Sequence, residues 1–127
     1  MSPLSAWAIA AVAAGGAAGS VARYLVSVGA ASMGLSQAWG TLAVNVMGGF
    51  AIGALMELFV RGTILAELRL LLVTGFLGGF TTFSAFSLDV VTLWRTDAAH
   101  AGLYAAASVA LSVKACLAGM LFVRSLL

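Results

Sequence analysis

The chain reads as an all-α integral membrane protein of four spans, and three observations lead there. Hydrophobic residues fill 63% of its 127 positions and charged residues only 8%, where a soluble domain averages about 25% charged. Mean hydropathy is +1.14. No charged side chain occurs from Met1 to Ala22, from Tyr24 to Met56 or from Leu70 to Leu88, and a spanning helix needs roughly 20 mostly apolar residues. A single domain over 1–127 follows, with spans near 4–28, 39–59, 70–94 and 98–123.

The first span lacks the basic flank of a signal peptide and is expected to be retained. Its Gly15, Gly16 and Gly19 make a small-residue face of the kind that lets helix backbones approach closely in lipid. Arg23, about one turn from the end of the span, either snorkels to the headgroups or faces water inside an assembly. A connector over Gly29 to Ala38 precedes the second span. There Trp39 is an interfacial anchor, and Thr41 and Asn45, four apart, share a face. A buried amide is costly unless hydrogen-bonded. Gly49 and Gly53 repeat the small-residue spacing, and Glu57, Arg61, Glu67 and Arg69 then form a charged stretch expected in water.

The third span carries Gly75-Phe-Leu-Gly-Gly-Phe-Thr-Thr-Phe-Ser-Ala-Phe86. Glycine costs about 1 kcal/mol in a helix interior, and here three glycines precede a β-branched pair. The helix is therefore expected to break near the bilayer centre. Lipid cannot satisfy the freed backbone groups, so such a break must be covered by protein or line a polar cavity. Phe80, Phe83 and Phe86 recur at a three-residue step on one face. Asp89 and Arg95 are expected at the interface. On the fourth span Tyr104, Ser108 and Ser112 step by four and form a polar track, with Lys114 on roughly the opposite side and His100 near the helix start. Cys116, the single cysteine, is expected to be an inert buried thiol.

These contents exclude several functions. Six basic and four acidic residues are too sparse for a nucleic-acid surface. Nothing resembles a Ser/His/Asp set, a metal-ligand cluster or a phosphate loop, so no enzymatic chemistry is expected. No carboxylate falls at the centre of a span, which favours passive conduction over proton-coupled exchange. The deep polar groups are mostly donors: Asn45, Thr41, Thr82, Ser84, Ser108, Ser112 and Tyr104. Phenyl rings add a positive edge, so Phe83 and Phe86 suit a bare anion, while carbonyls freed at the break suit a hard cation such as sodium. Lys and Arg are weakly biased between the two faces, which permits insertion both ways up and an antiparallel pair of copies.

Taken together, four segments resemble the Fluc (CrcB) family of bacterial fluoride channels along nearly the whole chain. They are Gly15-Gly-Ala-Ala-Gly-Ser-Val-Ala-Arg-Tyr24, Gly40-Thr-Leu-Ala-Val-Asn-Val-Met-Gly-Gly-Phe50, the Gly75–Phe86 stretch, and the Tyr104/Ser108/Ser112 track. The resemblance implies a dual-topology homodimer in the bacterial inner membrane, with two antiparallel fluoride pores and one central sodium ion. It implies that Asn45, Phe83 and Phe86 face the anion and that Tyr104, Ser108 and Ser112 line its track. It also implies that Arg23 sits by an aqueous vestibule and that the carbonyls of Gly78 and Thr81 from both subunits hold the sodium. Family members often carry threonine where this chain has Ala85. The alternative is a small dual-topology exporter of lipophilic cations, which needs a membrane-embedded glutamate in its first span; this chain has none there.

Overall fold

In the computed structural model, which describes residues 2–127, every regular element is helical. Helix α1 (Ala6–Ser32) is capped at its start by Ser5, whose hydroxyl accepts from the Ala8 amide. It runs past Gly29, where the connector was expected to begin. It stops at Gly34, whose φ of +75° only glycine adopts without strain. The Gly34 amide bonds to Ala31 and the Leu35 amide to Ala30, a Schellman close. Helix α2 (Gln37–Val60) ends the same way at Gly62, φ +68°. The connector thus shrinks to residues 33–36, because the stop signal is Gly34 and not Gly29.

A π-helix over Leu70–Leu77 tightens into one α-turn, α3 (Gly78–Phe80). Thr81 (φ −82°, ψ 159°) and Thr82 (φ −155°, ψ 121°) are extended, and α4 (Phe83–Thr96) begins after them. A single residue, Asp97, separates α4 from α5 (Ala98–Leu126), and its carboxylate accepts from the Ala99 and His100 amides at 3.0 and 3.1 Å. Among the described residues four stretches are long and apolar enough to cross a membrane: Ala6–Ser32, Gln37–Val60, Leu70–Thr96 and Ala98–Leu126. The chain is a multi-pass membrane protein.

Backbone contact, more than side-chain interlock, holds these helices together. Gly15 and Gly19 on α1 lie against the backbone of Leu71, Gly75 and Phe76, and Gly79 lies against Gly16. On the other side, Gly49 and Gly53 of α2 meet the carbonyls of Ser112 and Cys116 on α5, and Gly119 meets that of Phe50. Small residues permit this approach, and dispersion rather than water exclusion stabilises it in lipid. The buried apolar cluster is correspondingly small, centred on Val44, Leu77 and Phe80. Large side chains such as Leu25, Val91, Leu103 and Val113 are exposed, as a lipid-facing surface requires.

Two acids are buried. Glu57 lies inside α2, buried, with its oxygens 2.9 Å from Arg61 Nε and 3.0 Å from Arg124 Nε. It is not in a watery loop, because two guanidinium groups compensate its charge where it stands. Asp89, expected at the interface, is also buried. Starting α4 only at Phe83 places Asp89 two turns along it, about 10 Å from Thr82.

Candidate functional site

The site is built around Thr81 and Thr82. Extended backbone here removes helical partners, and two side chains replace them. Asn45 on α2 donates from Nδ2 to the Thr82 carbonyl at 2.9 Å, and its Oδ1 accepts from the Thr82 amide at 2.8 Å. One amide side chain thereby satisfies both backbone groups of one residue across the fold. The Thr82 hydroxyl accepts from the Ala85 amide at 3.1 Å and caps α4, with the Ser84 hydroxyl 3.3 Å away.

These substitutions have a by-product. In a continuous helix the Gly78 carbonyl would accept from the Thr82 amide and the Thr81 carbonyl from the Ala85 amide. Both donors are diverted, the first to Asn45 and the second to the Thr82 hydroxyl. Two main-chain oxygens are left to find other partners. They are hard, neutral donors of the kind that binds a small hard cation. No cluster of three or more His, Cys, Asp or Glu side chains able to hold a metal occurs among the described residues.

Beside this joint lies a cavity of ≈ 410 Å³. Asn45, Gly78, Thr81, Thr82, Phe83, Phe86, Ser108 and Ser112 line it, with Gly48, Gly49 and apolar residues between them. The Phe83 and Phe86 rings are tilted, centroids 5.4 Å apart, and Phe86 leans on Tyr104 at 5.7 Å. Phe83 is 77% exposed in the single chain. The Ser108 Oγ is buried with no hydrogen-bond partner, although a helical serine ordinarily back-bonds to the carbonyl one turn earlier. Ser108 lines the cavity, but its Oγ is closed off from that space, so the hydroxyl can donate there only if the side chain turns.

A second cavity of ≈ 320 Å³ lies across the same joint, lined by Ser20, Arg23, Tyr24, Ser27, Gln37, Thr41, Val44, Thr82 and Ala85. Arg23 is half-buried there, and the Thr41 hydroxyl is turned back onto the Gln37 carbonyl at 3.3 Å. Thr82 borders both spaces. Ser84 and Tyr104 line neither; Ser84 is exposed.

Tyr104 has a different partner. Its hydroxyl donates to Asp89 Oδ2 at 3.1 Å, with the Ala38 carbonyl 3.4 Å away. Sequence reasoning missed Asp89. The available signal was its place seven residues beyond Thr82, well short of Arg95. Removing the donor strands a buried carboxylate. Tyr104→Phe is expected to lower stability by about 1 kcal/mol, the usual worth of one such bond in a membrane protein, as measured by thermal unfolding in detergent.

Comparison with known proteins adds the following. The family model described as CrcB-like protein, Camphor Resistance (CrcB), matches residues 10–120. A Rhizobium etli protein named fluoride-specific ion channel FluC is 57% identical over 118 residues, 91% of this chain and 94% of that protein. An Agrobacterium fabrum protein of the same name is 51% identical over 121 residues, 93% and 97% of the two chains. Fluoride-specific ion channel FluC 1 of Nitrobacter hamburgensis is 49% identical over 121 residues, 93% and 96%.

Proposed function

The chain belongs to the CrcB-like family, and from that premise we propose that it is a fluoride-specific ion channel acting by passive conduction. The observation that carries the reading is the Asn45–Thr82 clamp. It holds a helix interruption open beside a cavity walled by Ser108, Ser112 and two phenyl rings. A small anion needs hydrogen-bond donors to replace its water and no fixed carboxylate in its way, and this wall supplies donors.

Two copies, antiparallel in the membrane, form the working unit in this reading. Phe83 supports it, since a ring 77% exposed beside a polar cavity gains cover from a second chain. The interruption then lies near mid-bilayer, where protein from both copies shields it. Fluoride passes from the Arg23 vestibule by Thr41 and Thr82 to Asn45. It continues along the Phe83 and Phe86 edges and past Ser108 and Ser112, while the Tyr104 hydroxyl is held by Asp89 and Ser84 lies outside both cavities. The Gly78 and Thr81 carbonyls of each copy would hold one sodium ion, whose fixed positive charge supports the adjacent anion paths. The location is the bacterial inner membrane and the direction is export down the electrochemical gradient.

Fluoride efflux from liposomes containing the purified protein tests this, with chloride as control. Phe83→Ile removes the ring edge while keeping an apolar side chain. Efflux is expected to fall by about tenfold or more, with the elution volume of the dimer unchanged. Equal efflux of chloride by the wild type would overturn the fluoride reading.

A further inference from the structure

At the end of the fold away from Asp97, the last turns of α2 and α5 share one carboxylate. Glu57 receives Arg61 from its own helix and Arg124 from α5, each through Nε, at 2.9 and 3.0 Å. A guanidinium carries five N–H donors, so this geometry uses few of them. No second carboxylate pairs with either arginine among the described residues. The arginine side chains are 34% and 53% exposed, whereas that of Glu57 is 7% exposed. The Glu57, Leu58 and Phe59 carbonyls near the end of α2 are already taken by the Arg61, Thr63 and Gly62 amides. Two guanidinium groups and one carboxylate leave one formal positive charge, held in place by the buried acid.

Apolar surface flanks this cluster. Val60, Phe122 and Leu126 are all more than half exposed, and both helices are long and apolar enough to span a membrane. The combination of outward donors and adjoining greasy surface matches an amphiphile with an anionic head. Arginine favours phosphate for its planar, forked donors. We propose that Arg61 and Arg124, braced by Glu57, form a binding site for the phosphodiester headgroup of an anionic phospholipid, whose acyl chains lie along Phe122 and its neighbours. The site rests on the membrane-spanning reading and not on fluoride conduction.

The test uses the full-length protein in detergent, following its thermal unfolding while phosphatidylglycerol, phosphatidylcholine or water-soluble glycerol phosphate is added. Phosphatidylglycerol is expected to raise the midpoint, and the other two to leave it unmoved at the same concentrations. Arg124→Gln should raise the half-saturating mole fraction about tenfold, the effect of losing one charge-assisted bond. Native mass spectrometry of the wild type, counting phosphatidylglycerol retained against phosphatidylcholine, checks the same point without any variant having to fold. Equal shifts with both lipids, an unchanged response in Arg124→Gln, or equal retention would overturn the site. A glycerol phosphate response matching that of the lipid would overturn its assignment to lipid. Normal fluoride flux alongside any of these would leave the channel reading standing.

Discussion

Asn45→Asp is expected to abolish fluoride efflux while leaving a protein that can still be purified. The wild-type side chain makes two opposite bonds to one residue, donating to the Thr82 carbonyl at 2.9 Å and accepting from its amide at 2.8 Å. Aspartate keeps the acceptor and replaces the donor with a second oxygen, which then confronts the Thr82 carbonyl. It also sets a negative charge in the wall of the cavity. At an effective dielectric of about 20, a like charge about 5 Å away costs a passing anion about 3 kcal/mol, a factor of more than a hundred in occupancy. Liposome efflux read with a fluoride electrode measures this, and size-exclusion chromatography reports whether the assembly survives. Efflux at the wild-type rate would remove Asn45 from the pathway.

The second large effect concerns folding. Gly19→Leu is expected to lower the unfolding midpoint by more than about 10 °C, or to prevent recovery of folded protein. A Cβ at Gly19 would run into the carbonyl of Phe76 and approach the Phe80 amide at 2.9 Å. Backbone atoms cannot swing aside as a flexible side chain can. Overpacking of this kind costs about 1–3 kcal/mol when neighbours yield and more when they do not, and each kcal/mol moves the midpoint by several degrees. Gly102→Leu is the matched control, since nothing lies within 4 Å of a Cβ there. Thermal unfolding in detergent should show little change for it. Similar losses in both variants would mean that close backbone approach is not what Gly19 provides.

The glycines show how much of this was readable beforehand. Long apolar runs and small-residue spacing reveal a four-span helical chain, because lipid leaves few other solutions. Inside the third span the same reasoning credits glycine with the interruption, and there the structure is more specific. Gly78 and Gly79 are helical, and Gly79 spends its missing side chain on contact with Gly16. Extended backbone falls instead on Thr81 and Thr82, where Asn45 supplies replacement bonds from another helix. Such a contact between distant positions leaves no trace in local spacing. Propensity could mark the region as weak but could not say which residue yields.

The polar side chains divide along the same line. Of the residues that step by four from Tyr104 to Ser112, Ser108 and Ser112 lie on one cavity wall and Tyr104 does not. The spacing does not show that Tyr104 bonds to Asp89, since that depends on how deep α4 begins. Glu57 was misplaced for a related reason. Its partner Arg124 lies near the other end of the sequence, so the local charge pattern suggested a hydrated loop where the fold has a bridge.

The joint at Asp97 has a consequence for how such a chain can change over time. Because one residue both ends α4 and starts α5, there is no slack between them. One added residue would turn the whole of α5 by about 100° and carry Ser108 and Ser112 away from the wall they share with Asn45. An insertion is therefore expected to be tolerated in the stretch between Gly62 and Leu70 and to pull the cavity wall apart at Asp97.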